Sequence, residues 1–357
     1  MASYRDNVAI VKLLLENGAE VNAKGGIFGN ALQAASFRGG DSGEVVVKLL
    51  LENGAEVNAE GGVYGNAIQA ASIKVNDVIL RLLLENGAEL NAEGGKYGNV
   101  LQAASFRGSK AIVKLLLENG GEVNTKGGRY GNALQAASFG GNEVIVKLLL
   151  ENGADVNAEG GRFGNALQAA SFRGSEAIVK MLLENGAEVS GKGGDYGNAL
   201  QAVSCGGYGG VIELLLEDDE EYMDAPQAAS FGGHEVIMKL LLQNGAEVNA
   251  EGGKYGNALQ AASFRGNSVI VKLLLENGAE VNAKGGIFGN ALQAASFIRN
   301  EEIVKLLLEN GAEMNAEGGV PIPQIPLPRR VLTRIQATGA FAFIHIPEGY
   351  HMDTSDW

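Results

Sequence analysis

The tripeptide Glu-Asn-Gly, or a near variant, comes back along this chain at a fixed interval, and nothing else in the sequence restricts the fold as tightly. Its asparagine falls at Asn17, Asn53, Asn86, Asn119, Asn152, Asn185, Asn244, Asn277 and Asn310, with successive gaps of 36, 33, 33, 33, 33, 59, 33 and 33 residues. A repeat of that length is one supersecondary element that cannot bury its apolar side alone and must stack on its neighbours, so the chain reads as a solenoid. The gap of 36 holds a three-residue insertion near Gly40 to Gly43. The gap of 59 holds a degraded copy, in which "LLLEDD" (Leu214 to Asp219) stands for "LLLENG" and about seven residues are missing before Gln227. The array is read as 1–317: a partial unit over 1–24, then units from 25, 61, 94, 127, 160, 193, about 226, 252 and 285. That makes about ten units including the partial one, and a tail occupies 318–357.

One unit can be read physically from Gly127 to Glu159, "GGRYGNALQAASFGGNEVIVKLLLENGADVNAE". Asn132 before an apolar stretch, with Gln135 three residues on, forms an asparagine version of the capping box and starts a first helix. Gly140 and Gly141 end it after about two turns, and Asn142 is placed to cap a second helix with Glu143 in its first turn. Ile145, Leu148 and Leu149 follow helical spacing, and Val144, Val146 and Leu150 widen the stripe, which predicts a helix sandwiched between neighbours. Asn152 and Gly153 supply a left-handed stop. Val156 then lies in an extended return to the next glycine pair. The Lys147 and Glu151 spacing, repeated from Lys12 and Glu16 to Lys305 and Glu309, marks a solvated face.

This unit resembles an ankyrin repeat. The family's helix start, its Ala-Ala, and its Ile-Val-x-Leu-Leu-Leu and Gly-Ala-Asp-Val-Asn-Ala segments are met here by "NALQ", "AAS" and "IVKLLLENGADVNA", over residues 1 to about 317. Where the family has threonine, proline and histidine, this chain has Asn132, Ala133 and Gln135, so the Asn/Gln box takes the place of the usual threonine-to-histidine bond. The resemblance implies an all-α ankyrin-type solenoid of helix-turn-helix units with finger loops, which binds partners across the fingers and first helices on its concave side. The "YGNALQAAS" dialect further resembles arrays in fungi, often attached to NACHT-type NTPase domains. Ala2 to Lys12 aligns with Ala104 to Lys114, so the chain opens in mid-unit, as a fragment of a longer protein or with its first unit uncovered.

Composition bounds the function classes. The formal net charge of −14 argues against general affinity for nucleic acid or anionic membrane. One cysteine, Cys205, excludes an internal disulfide, and His234, His345 and His351 are too scattered for a zinc cluster. A reducing, cytoplasmic setting fits, with no signal peptide and no apolar run near the roughly 20 residues that span a bilayer. No metal and no cofactor is expected. Cys205, where other units have phenylalanine, reads as a small buried substitute.

The 53 glycines recur in pairs before a helix start, a setting that can hold a phosphate. Against a nucleotide site, the loop occurs eight times without the lysine and hydroxyl of a P-loop, and the residue after the pair varies freely: Ile27, Val63, Lys96, Arg129, Arg162, Asp195, Lys254 and Ile287. Nothing structural requires Ile, Arg and Asp to be interchangeable, so this fingertip letter is the candidate for recognition. With Arg38, Arg107, Arg173 and Arg265 at first-helix ends, the basic letters predict a locally basic groove suited to a protein partner with an acidic surface. The aromatic that follows (Phe28, Tyr64, Tyr97, Tyr130, Phe163, Tyr196, Tyr255, Phe288) reads first as rings packed unit on unit. As an interface strip, Tyr97, Tyr130 and Tyr255 would be its anchors.

The acidic run "LEDDEEYMD" (Leu216 to Asp224) replaces a deleted finger and reads as an exposed break in the stack with altered curvature or a cleft. In the tail, "VPIPQIPLPRR" reads as extended linker and "AFAFIHIP" as a short strand, the whole serving as a cap, a docking peptide or a misread gene end. Three functions are thus carried forward. The first is a non-enzymatic protein-interaction scaffold. The second is the sensing or autoinhibitory region of a larger NACHT-type receptor. The third is an enzyme with a tail site using His345, His351, Asp353 or Asp356.

Overall fold

The computed structural model describes residues 2–5, 7–206 and 233–314, and every regular element among them is helical. A lone helix α1 (Val8–Glu16) comes first. The pairs that follow are α2 (Ala31–Arg38) with α3 (Gly40–Glu52), α4 (Ala67–Ile73) with α5 (Asp77–Glu85), α6 (Val100–Arg107) with α7 (Lys110–Glu118), and α8 (Ala133–Gly140) with α9 (Glu143–Glu151). Then come α10 (Ala166–Arg173) with α11 (Glu176–Glu184) and α12 (Ala199–Cys205) with α13 (Gly233–Gln243). The last pairs are α14 (Ala258–Arg265) with α15 (Ser268–Glu276) and α16 (Ala291–Phe297) with α17 (Glu301–Glu309). Residue contacts divide the described residues into two compact units, one of 2–206 with 233–247 and one of 248–314. In each, first helices stack on first helices and second helices on second helices.

The first helices are short because their job is packing. Their alanines, leucines and serines are almost wholly buried, so neighbouring helices approach on small side chains. The Asn/Gln box is present in full at Asn30 and Gln33, where Gln33 N–H donates to Asn30 Oδ1 at 2.8 Å and Asn30 N–H donates to Gln33 Oε1 at 2.9 Å. It recurs at Asn99, Asn198 and Asn257. The second helices are less enclosed than their sequence suggests. In α9 only Ile145, Val146 and Leu149 are buried, while Val144 is 55% exposed, because a helix of the outer row is covered on one side and not sandwiched. Their ends follow the expected left-handed stop, with Gly153 at φ +81° and Asn152 Nδ2 donating to Leu148 O at 2.8 Å. The insertion near Gly40 to Gly43 is absorbed as extra helix at the start of α3, which has 13 residues where most second helices have 9.

One expectation needs correction. Asn142 makes no cap bond to α9; its Nδ2 donates instead to Ser105 O at 3.0 Å and Phe106 O at 2.8 Å, tying α9 to the first helix of the preceding repeat. Among the described residues α13 packs on α12 and α11. His234 is buried there and sets its Nε2 3.3 Å from Phe172 O, the relation Asn142 has to Phe106. The acidic run Leu216 to Asp224, the tail, and His345, His351, Asp353 and Asp356 lie outside the described residues.

At the chain start, Ile10 and Leu14 of α1 are 47% and 48% exposed, against 0% and 2% for Val46 and Leu50 at the same places in α3. The difference is that α2 stands over α3 and no described helix stands over α1.

Candidate functional site

Each fingertip is a five-residue hairpin of the form Gly-Gly-x-aromatic-Gly. Gly61 N–H donates to Gly65 O at 2.8 Å and closes it, and the same bond recurs in the other fingers. Successive hairpins are then joined through the variable residue. Val63 N–H donates to Ile27 O (2.9 Å), Lys96 N–H to Val63 O (2.9 Å), Arg129 N–H to Lys96 O (3.0 Å), Arg162 N–H to Arg129 O (2.9 Å) and Asp195 N–H to Arg162 O (2.8 Å). In the second compact unit Ile287 N–H donates to Lys254 O at 3.0 Å. The amide groups a phosphate would need are thus spent on closing one finger and joining it to the next.

The glycines permit this approach. Gly128 sits at φ +61°, where a side chain is strained, and a Cβ there would collide with the main chain of Tyr97 in the preceding finger. The glycine pair is therefore a stacking device.

Behind the fingertips the aromatic residues form a zipper of two columns. Tyr130 lies 4.9 Å from Phe106 and 5.4 Å from Phe139, and Phe163 lies 4.5 Å from Phe139 and 5.3 Å from Phe172, ring centre to ring centre. Tyr97, Tyr130 and Tyr255 are 3%, 0% and 6% exposed. Their faces lie against the rings of adjacent units, the packing that was the first expectation for this column. Cys205 takes the helix-end place in this zipper and is buried.

What faces outward is the variable letter and the helix end. Ile27, Val63 and Asp195 are exposed, Lys96, Arg129, Arg162, Lys254 and Ile287 half-buried. Arg107 is exposed at the end of α6. Arg173 is half-buried, and that burial pulls its guanidinium pKa below the ordinary value. It reaches toward the preceding repeat, where a Cβ on Gly141 would stand 3.6 Å from its Nε. Fingertip and helix-end cations share one side: Lys254 Nζ and the Arg265 guanidinium lie 5.0 and 5.6 Å from the centre of the same Tyr255 ring. Arg162 departs from the simple basic reading, because its Nε is 3.0 Å from Asp195 Oδ2 in the next finger.

Two sets of bonds that sequence reasoning missed keep this surface in register. Gln135 Nε2 donates to Ala158 O (3.0 Å) and Gly164 O (2.9 Å), so a side chain rooted at its own helix start holds the next finger, while the return half of the expected Asn132/Gln135 box is not made in this repeat. The same reach is made by Gln33, Gln69, Gln102, Gln168 and Gln260. On the outer side Asn124 Nδ2 donates to Gly153 O (3.0 Å) and Asn124 Oδ1 accepts from Asp155 N–H (2.9 Å). The signal for both was present as a recurring letter, Gln in "ALQ" or its variants and Asn in "VNA" or its variants, with Ser190 in place of that asparagine at the end of the unit from 160.

Among the described residues no group of histidine, cysteine and carboxylates could hold a metal, and no helix is long and apolar enough to cross a membrane. A family profile described as "Ankyrin repeats (3 copies)" matches residues 1–94, 67–160, 100–193, 199–285 and 226–318. No curated protein matches the sequence. Among solved structures, the crystal structure of the human ASB11 ankyrin repeat domain aligns with 24% identity over 60% of this chain and 95% of that one, at a TM-score of 0.49. Profile matches that run through nearly the whole described array agree with the finger, first helix, second helix order of each unit. The chain belongs to the ankyrin-repeat family.

Proposed function

We propose that the array is a non-enzymatic scaffold that holds a protein partner against its fingertips and first-helix ends, and that the partner presents an acidic surface there. The observation that carries the reading is the row of variable letters fixed side by side through their main chains, with Lys96, Arg129 and Arg162 adjacent in it and Arg107 and Arg173 at the neighbouring helix ends. Ile27 and Val63 would give the start of the row an apolar contact, and Ile287 would do so beside Lys254 in the second compact unit. Ankyrin repeats in general are protein-interaction modules, and a rigid frame with a freely varying outer residue is what such a module needs. Electrostatic complementarity of this kind chiefly sets association rate and partner choice, so binding should weaken with salt.

The test is quantitative capture from native extract with the intact chain beside one carrying Arg107→Glu, Arg129→Glu and Arg162→Glu. A partner retained by the first and lost by the second supports the reading. Equal recovery of every protein by both would sink it.

A further inference from the structure

We infer that the fingertip row is matched to an extended acidic peptide lying along it, with carboxylates on alternate residues. The inference rests on the acidic-partner reading above and adds its form. The pitch of the row is set by the rings next to the variable letters. Their centres are 6.0 Å apart from Tyr97 to Tyr130, 6.4 Å from Tyr130 to Phe163 and 5.7 Å from Phe163 to Tyr196. Because each variable residue is hydrogen-bonded to the next through its main chain, Lys96, Arg129 and Arg162 follow the same step.

Two regular peptides have acidic side chains at about that step. In an extended chain, alternate residues point to one side at about 6.6 Å. In an α-helix, residues four apart rise about 6 Å, but each step turns the side chain by about 40°, so the third carboxylate has swung about 80° off the row. The rings beside Lys96, Arg129 and Arg162 are inclined to one another by 33° and 2° over the same two steps, short of that swing, and the roughly half ångström excess of the extended chain is within reach of long lysine and arginine side chains. Arg107 and Arg173 border the row at the helix ends and give the peptide main chain's carbonyls charged donors. Asp195 closes the row by pairing with Arg162.

The test uses labelled synthetic peptides of one composition, half glutamate and half serine, in three orders: glutamates alternating, glutamates in adjacent pairs recurring every four residues, and glutamates in one block. Fluorescence anisotropy is read at about 50 mM salt, where surface charges are weakly screened. The alternating peptide should bind about tenfold tighter than either other order. Lys96→Glu with Arg129→Glu should remove that difference while the far-ultraviolet circular dichroism and urea midpoint stay unchanged. Equal affinity for the three orders would overturn the register but leave the acidic-partner reading standing. A preference kept by the double variant would overturn the site. An oligo-dT probe that bound as tightly as the alternating peptide would show a general anion surface and overturn the inference as a peptide site.

Discussion

Gln135 Nε2 lies 2.9 Å from the carbonyl oxygen of Gly164, across the boundary between two repeats and inside the buried stack. One side chain standing at the start of its own helix anchors the next finger, so each repeat is fastened to its successor by a polar group that cannot be solvated if the fastening fails.

Gln135→Leu should therefore destabilise the array by about 2–4 kcal/mol, since it removes two buried bonds and strands the carbonyls of Ala158 and Gly164. Urea unfolding followed by circular dichroism measures the loss. Hydrogen exchange should rise first at the finger amides from Gly160 to Gly164, as expected of a stack held by nearest-neighbour contacts. A loss under about 0.5 kcal/mol would show that the bonds are replaced by water.

The two kinds of glycine should separate cleanly. Gly153 has φ +81° but open space around a Cβ, so Gly153→Ala should cost only the local strain of about 1 kcal/mol. Gly128→Ala combines φ +61° with a clash against the main chain of Tyr97 and should cost about 3 kcal/mol or more. Faster exchange at the Arg129 and Arg162 amides would place the damage in the finger stack.

The buried serine of the first helices offers a test in the opposite direction. Ser138 Oγ is enclosed without a hydrogen-bond partner among the described residues. Ser138→Ala should leave stability unchanged or raise it by up to about 1 kcal/mol, because a desolvated hydroxyl is removed and little volume is lost. A clear loss in the same urea experiment would mean that the hydroxyl bonds back to the helix, as Ser204 does to Leu200 O at 2.7 Å.

Much of this architecture is legible in the sequence, for stated reasons. The period, the Asn132 helix start and the Gly153 stop depend on backbone conformation and local spacing, which the chain writes directly. The reach of Gln135 is hidden because a bond to its own helix start already accounts for the residue. Asn142 looks like a cap for the same reason, and only packing shows that its amide is drawn to Phe106 O. At the surface, the fingertip letters stand out by their variation, whereas the pairing of Arg162 with Asp195 depends on two residues a whole repeat apart coming within 3.0 Å.

That pair yields a binding prediction. Asp195→Asn should release Arg162 and strengthen capture of an acidic peptide by about threefold to tenfold at low salt, with the gain shrinking as salt rises. Stability should move by less than about 0.5 kcal/mol, since the pair lies at the surface. Anisotropy titrations at two salt concentrations check the first part and urea unfolding the second.

The fingers are joined through N–H and C=O groups that every residue but proline supplies, so the join is blind to the side chain it carries. A fingertip can be rewritten from isoleucine to arginine to aspartate without asking the neighbouring repeats to refold, and whole repeats can be duplicated or exchanged with their letters intact. Stability and specificity are thereby inherited separately: the frame tolerates new spellings, and selection on a partner can act on one residue per repeat.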